Sequence, residues 1–281
     1  MKQTIEYIRS ELHGLYPHQE IEQFIALIFQ NLCGYSKADL IIYKNKQISD
    51  SLALQIRRFA QRLKHYEPIQ YILGSTSFLD FEFHVRPGVL IPRPETEELV
   101  ERIYNENHQL GLRILDIGTG SGCIAISLSR LLPESDVSAI DISEEALAIA
   151  QENARLNNAH INFLQTDILH YQSDSQLLNF DIIVSNPPYV CQSEEADMSP
   201  NVLDFEPHTA LFVPDTDPLL FYRHIAQLSK TMLAPKGRLY FEINERFGQA
   251  TREMLEQMGY QHIEIIRDLQ GKDRIAKAIH I

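Results

Sequence analysis

The chain has 281 residues, 44% of them hydrophobic, and a formal net charge of −13 at pH 7. That length suits one large globular domain or two, with apolar content ample for a core, and no apolar run approaches the ~20 residues that span a bilayer. The opening "MKQTIEYIRSELHG" lacks the apolar centre of a signal peptide, so the expectation is a cytoplasmic protein with no membrane partner.

The charge is unevenly spread. Residues 1–73 carry nine Lys and Arg against seven Asp and Glu, a balance of +2, and residues 74–281 carry −15. A tight nonspecific grip on phosphate backbones comes mainly from Lys and Arg, so an acidic larger part argues against direct nucleic-acid binding. Cys33, Cys123 and Cys191 are far apart and read as ordinary thiols, and the eleven histidines show no HxxxH or HExxH spacing, so no metal site is expected.

In chain order, "HQEIEQFIALIFQNLCG" sets Ile21, Phe24, Ile25, Ile28, Phe29 and Leu32 on one helical face and stops at Gly34. "SDSLALQIRRFAQRLKHYEP" repeats the pattern through Leu52, Ile56, Phe59 and Leu63, predicting a small helical bundle over residues 1–73. The alternation of Phe81, Phe83 and Val85 predicts a β-hairpin, taken as a linker over residues 74–91. From residue 92 onward strand-like and helix-like segments alternate: "RILDIG", "CIAISLSRLL", "DVSAID", "SEEALAIAQENARLN", "INFLQTD", "FDIIVSNPPY", "LLFYRHIAQLSKTML", "GRLYFEI". That rhythm predicts an α/β domain over residues 92–281 with a parallel sheet, closed by "QHIEIIRDL" and "RIAKAIHI" pairing antiparallel through "QGKD".

Chemistry concentrates at the carboxyl ends of the strands. "LDIGTGSG" puts Gly118, Gly120 and Gly122 in a strand-to-helix turn behind Asp116. This is G-x-G-x-G, not the G-x-G-x-x-G of dinucleotide sites. Asp141 ends the next strand, placed to accept both hydroxyls of a ribose, and Asp167 ends the third; either aspartate could instead cap a helix. "SNPPYV" ends the fourth. Asn-Pro is a common turn signal, but the prolines also hold Asn186 extended and fix the directions of its amide and of nearby carbonyls.

"LDIGTGSG", Asp141 and "NPPY" together resemble a class I methyltransferase that uses S-adenosylmethionine and acts on planar, amide-like nitrogens. With "EPIQYILG", "LIPRPETEELV", "VSNPPYV", "FEPHTAL" and "RDLQGKDR" in this order, the chain resembles the HemK/PrmC family nearly end to end. The resemblance implies a Rossmann-like methyltransferase fold behind an N-terminal helical substrate-recognition domain. It also implies methyl transfer to the glutamine of the Gly-Gly-Gln motif in class-1 peptide chain release factors, with S-adenosylhomocysteine as product; the separate expectation for the chain is a monomer. By the same resemblance Asp116, Gly118, Thr119, Gly120, Ser121 and Gly122 hold the methionine part of the cofactor. Asp141 holds its ribose, Asp167 and Ile168 flank its adenine, and Asn186 lies beside it. The expected catalytic residues are Asn186, Pro187, Pro188 and Tyr189: Asn186 Oδ1 and the Pro187 carbonyl accept the two N–H bonds of the substrate amide, Tyr189 packs on its plane, and Pro188 stiffens the loop. One departure is Asn244 in "FEIN", where such sequences usually carry glycine. The rival reading, methylation of the exocyclic amine of adenine in DNA, expects a basic, aromatic target-reading region that no segment supplies.

Overall fold

The computed structural model describes residues 1–171 and 177–281. The chain divides into two compact units: Met1–Gly74 together with Ser199–Phe205, and Ser75–Met198 together with Glu206–Ile281.

The first unit is helical, with α1 (Lys2–Leu12), α2 (His18–Cys33), α3 (Lys37–Ile42), α4 (Asp50–Lys64) and α5 (Ile69–Leu73). The face read from the sequence of α2 buries Ile21, Phe24, Ile25, Ile28 and Phe29. Its end at Gly34 follows from a left-handed residue, φ 69°, whose N–H returns to the Gln30 carbonyl. Ser36 and Asp39 form a reciprocal capping box at α3, and the Ser49 hydroxyl caps α4. Ile8, Leu12, Ile56, Ala60 and Leu63 complete the core against α2.

The second unit opens with the hairpin β1 (Ser75–Phe78) and β2 (Phe81–His84), paired antiparallel. Here the structure differs from the linker expectation for residues 74–91. Phe78 and Phe83 meet edge to face at 5.9 Å and belong to the core of the second unit. Then follow α6 (Pro94–Glu106), β3 (Arg113–Ile117), α7 (Cys123–Leu131), β4 (Asp136–Asp141), α8 (Glu144–Leu156), β5 (Ile161–Gln165) and β6 (Phe180–Ser185). A two-residue strand, β7 (Val190–Cys191), pairs with β8 (Phe212–Val213); between them the segment bearing α9 (Pro200–Leu203) clusters with the first unit. The chain ends with α10 (Leu220–Met232), β9 (Leu233–Glu242), α11 (Gly248–Gln257), β10 (Gln261–Arg267) and β11 (Asp273–Ile279).

Among the described residues one seven-stranded sheet runs β10-β11-β9-β6-β3-β4-β5. Its core pairs are parallel, and β11 is antiparallel to both β9 and β10. The strand order reverses between β3 and β6, so the chain leaving their carboxyl ends goes to opposite faces of the sheet, and the crevice between is where open α/β sheets bind ligands. Apolar clusters cover both faces of the sheet, which is why β3 and β6 read as continuous hydrophobic runs.

The hairpin is fastened by α8. Asn153, fully buried in that helix, accepts the His84 N–H at 2.7 Å and donates to the His84 carbonyl at 3.0 Å and to the Ser121 carbonyl at 2.9 Å. One side chain thus joins the hairpin, a helix and the glycine turn. Arg86 adds a two-pronged ion pair to Glu152, at 2.7 and 3.0 Å.

Candidate functional site

The turn after β3 is held against β4 by backbone bonds: the N–H groups of Gly118 and Thr119 both donate to the Ile140 carbonyl, at 2.9 and 3.0 Å. Gly120 has φ 54°, and a Cβ there would meet nothing within 4 Å, so the turn faces open space. Gly122 has φ 84° and the opposite surroundings: a Cβ would lie 2.9 Å from Ile126 Cδ1 and 3.2 Å from Ala150 Cβ, and glycine lets α7 and α8 close up.

Asp116 is fully buried behind this turn. Its Oδ2 accepts the Thr119 hydroxyl at 2.6 Å, and its Oδ1 has no hydrogen-bond partner. Burial, aided by the nearby Asp141 charge, pushes its carboxyl up to about 7. A buried carboxylate oxygen without a partner suits a cationic group at the turn.

Asp141 accepts the Gly120 N–H at 2.8 Å through Oδ2 and the Ser143 N–H at 2.9 Å through Oδ1. Capping of α8 falls instead to Ser143, whose hydroxyl accepts the Ala146 N–H at 3.1 Å. Asp141 therefore ties the ends of β3 and β4 together, with a lone pair on each oxygen left for hydroxyl donors. The next residue, Ile142, is 58% exposed, an apolar surface at the carboxyl edge that sequence reading missed. Asp167 lies two residues past β5, where it accepts the Leu169 N–H at 2.9 Å and pairs with His170 Nδ1 at 2.7 Å. The His170 bond holds its carboxyl below the usual range. Ile168 is half-buried beside it.

At the end of β6 the Ser185 hydroxyl donates to the Ile117 carbonyl at 2.6 Å, locking β6 to β3 just before the prolines. Asn186 is half-buried and Pro187 buried. The Asn186 Nδ2 donates to Thr96 Oγ1 at 3.2 Å, and the Thr96 hydroxyl donates to Glu242 Oε2 at 2.6 Å. The Tyr189 hydroxyl donates to the other oxygen, Glu242 Oε1, at 3.0 Å. Glu242 ends β9 with 1% exposure; burial pushes its carboxyl above the ordinary value, and burial with the Glu242 charge pushes the Tyr189 phenol well above its own.

Thr96 and Glu242 were absent from the residues singled out in the sequence. A signal existed for Glu242, a lone acid closing the otherwise apolar run "LYFEI".

Asn244 has a structural account. Its Nδ2 donates to the Tyr189 carbonyl at 3.1 Å and to Glu194 Oε2 at 3.2 Å, and its Oδ1 accepts the Arg246 N–H at 3.0 Å. The amide thus braces the far side of the Asn-Pro-Pro-Tyr loop, a task that glycine cannot perform. Glu206, also buried, accepts the Ile91 N–H at 3.1 Å and Arg93 Nη2 at 2.5 Å, anchoring the chain just ahead of α6 and Thr96.

This sheet order, with a glycine turn and an Asn-Pro-Pro-Tyr loop on adjacent strands, defines a Rossmann-like class I methyltransferase. Solved structures agree on the fold: a methyltransferase from Pyrococcus furiosus matches with TM-score 0.54 at 17% identity, over 73% of this chain and 92% of that one. The 16S rRNA N2 G1207 methyltransferase of Thermus thermophilus, solved with AdoMet and guanosine, matches with TM-score 0.54 at 18% identity, over 74% and 50%. Family models match residues 94–203, as a methyltransferase small domain, and residues 3–74, as a PrmC N-terminal domain. The release factor glutamine methyltransferase of Bacteroides thetaiotaomicron is 47% identical over 279 residues, 99% of each chain. Those of Flavobacterium psychrophilum and Lactococcus lactis are 46% and 40% identical, over 95% and 96% of this chain and 94% and 97% of their own. The chain belongs to the HemK/PrmC family of release factor glutamine methyltransferases.

Proposed function

We propose that this protein transfers a methyl group from S-adenosylmethionine to the side-chain amide nitrogen of the glutamine in the Gly-Gly-Gln motif of class-1 peptide chain release factors. The same proposal has it work in the cytoplasm as a monomer. The near-full-length relatives support this substrate. They lend nothing to the DNA-adenine alternative, which the acidic balance of residues 74–281 also disfavours.

The residues at the sheet edge fit the cofactor. Gly120 opens onto free space, Asp116 carries an unpartnered buried oxygen, and Asp141 has lone pairs for two hydroxyls. Gly118, Thr119, Gly120, Ser121 and Gly122 would hold its methionine part with Asp116, Asp141 its ribose, and Asp167, Ile168 and the exposed Ile142 its adenine. When bound, S-adenosylmethionine supplies an electrophilic methyl group on a sulfonium sulfur and leaves as S-adenosylhomocysteine.

An amide nitrogen is a poor nucleophile because its lone pair is shared with the carbonyl, so orientation must carry much of the rate. The observation that carries this reading is the commitment of Asn186 Nδ2 to Thr96, which leaves Oδ1 as an acceptor. Asn186 Oδ1 and the Pro187 carbonyl accept the two N–H bonds of the substrate amide and aim its nitrogen. They also stabilise positive charge as it develops there, until one proton passes to solvent. Tyr189 packs on the amide plane, held by its bond to Glu242, and Pro188 keeps the loop stiff.

Radiolabelled S-adenosylmethionine with purified release factor tests the reading. Label should appear on the Gly-Gly-Gln glutamine, and Asn186→Ala should lower turnover about 100- to 1000-fold, the scale of losing one preorganised polar contact, with little change in cofactor affinity. Turnover within threefold of wild type would remove Asn186 from the chemistry.

A further inference from the structure

A primary amide is nearly symmetric in shape, and either end of Asn186 would fit its space. Only one end serves the proposed chemistry. With Oδ1 toward the substrate the side chain accepts an N–H; turned by half a revolution about its last bond, it presents an NH2 group that clashes with the substrate's own donors. Prolines restrict the backbone of Asn186 but do nothing to decide this orientation.

What decides it lies on two distant elements. Thr96, in the first turn of α6, is 3% exposed, and its hydroxyl is 2.6 Å from Glu242 Oε2. Burial opposes the charge on Glu242, but the Thr96 and Tyr189 hydroxyls and the nearby Arg274 charge favour it; a carboxylate only accepts, so the Thr96 proton points at Glu242 and its lone pairs face away. A lone pair can receive the Asn186 NH2, at 3.2 Å, and would repel its carbonyl oxygen. The other Glu242 oxygen takes the Tyr189 hydroxyl in the same way, at 3.0 Å. From the geometry we infer that Thr96 and Glu242 form a positioning pair that sets the polarity of the Asn-Pro-Pro-Tyr loop, turning Asn186 Oδ1 toward the substrate and pinning Tyr189, without touching substrate or cofactor themselves. This rests on the proposed role of Asn186.

Thr96→Val keeps the shape of the side chain and removes the hydroxyl; Thr96→Ser restores it. In the full-length protein Thr96→Val should lower kcat about 100-fold, the scale of a small misplacement of a reacting group, while cofactor affinity stays within threefold. Thr96→Ser should return to within threefold of wild type. The double variant Thr96→Val with Asn186→Ala should be no slower than Asn186→Ala alone, since Thr96 acts through that side chain. Glu242→Gln, which puts a donor where two hydroxyls need acceptors, should lower kcat with the same unchanged cofactor affinity. Thr96→Val within threefold of wild type, a loss that Ser does not restore, or losses that multiply in the double variant would overturn the inference. A second measurement needs no substrate. The Asn186 side-chain NH2 resonances, seen with selectively labelled asparagine, should shift and exchange faster with water in Thr96→Val but not in Thr96→Ser, and unchanged resonances would equally overturn it. Wild-type protein that binds cofactor yet leaves release factor unlabelled would refute the proposed function, and the resonances would still decide the role of the pair.

Discussion

The Asp116 carboxyl has a measurable pH signature. Its folded value, near 7, lies above the ordinary 3.8, so between those two values the folded state keeps a proton that the unfolded chain has released. Stability from this group is complete below about pH 4 and declines as pH rises toward 7. Asp116→Asn removes the effect. In urea unfolding the variant should gain on wild type between pH 5 and pH 8, by on the order of a few kcal/mol, and parallel pH curves would show that Asp116 titrates normally. Asp141 makes a different prediction. Asp141→Ala should weaken S-adenosylmethionine binding by about 2 to 4 kcal/mol in calorimetry, as two charge-assisted bonds to ribose hydroxyls are lost together. An unchanged dissociation constant would leave Asp141 only its bonds to Gly120 and Ser143.

At the scale of elements, the hairpin and the glycine turn share one support. Asn153→Ala would strip partners from the His84 N–H, the His84 carbonyl and the Ser121 carbonyl. The expected cost is about 2 to 4 kcal/mol of unfolding free energy, and cofactor affinity should fall with it, because Ser121 lies within the turn. Loss of stability with unchanged affinity would uncouple hairpin from turn. This coupling also shows what the sequence could disclose. Phe81, Phe83 and Val85 alternate, so the hairpin itself was legible. Its docking partners Asn153 and Glu152 lie far along the chain in a helix whose pattern speaks only of its own face, so the hairpin read as a linker. The strand-end aspartates, glycines and Asn-Pro-Pro-Tyr loop were legible because each is local and falls where strands stop. Thr96 was visible within "RPETE" but had no role until β9 brought Glu242 beside it.

For the whole molecule, the division into a helical unit and a catalytic unit carries a proposal about substrate choice. Every residue proposed to touch the cofactor lies at Asp116 or beyond it, so a fragment Ser75–Ile281 should still bind S-adenosylmethionine. A loop reading one amide cannot tell release factor from any protein with an exposed glutamine, so discrimination needs surface elsewhere. The fragment should lose at least about tenfold in kcat/KM on intact release factor, roughly 1.4 kcal/mol of transition-state binding. Equal efficiency would reduce the helical unit to a stabilising role. The same cut leaves Ser199–Phe205 without the helices it clusters with, and limited proteolysis should find new cleavage there.

That short segment also sets a timetable for synthesis. A helical unit made only of residues 1–74 could finish folding as soon as it cleared the ribosome. This one is joined by Ser199–Phe205, a piece translated after four of the seven strands of the sheet. At about 5 to 20 residues per second the wait is on the order of ten seconds. During it the nascent N-terminal helices lack their last component, and Asn201, which lines a cleft with Tyr16, Phe24 and Ile69, has yet to arrive. The core of the helices draws on no residue of that segment, so what waits on late synthesis is the cleft that Asn201 lines.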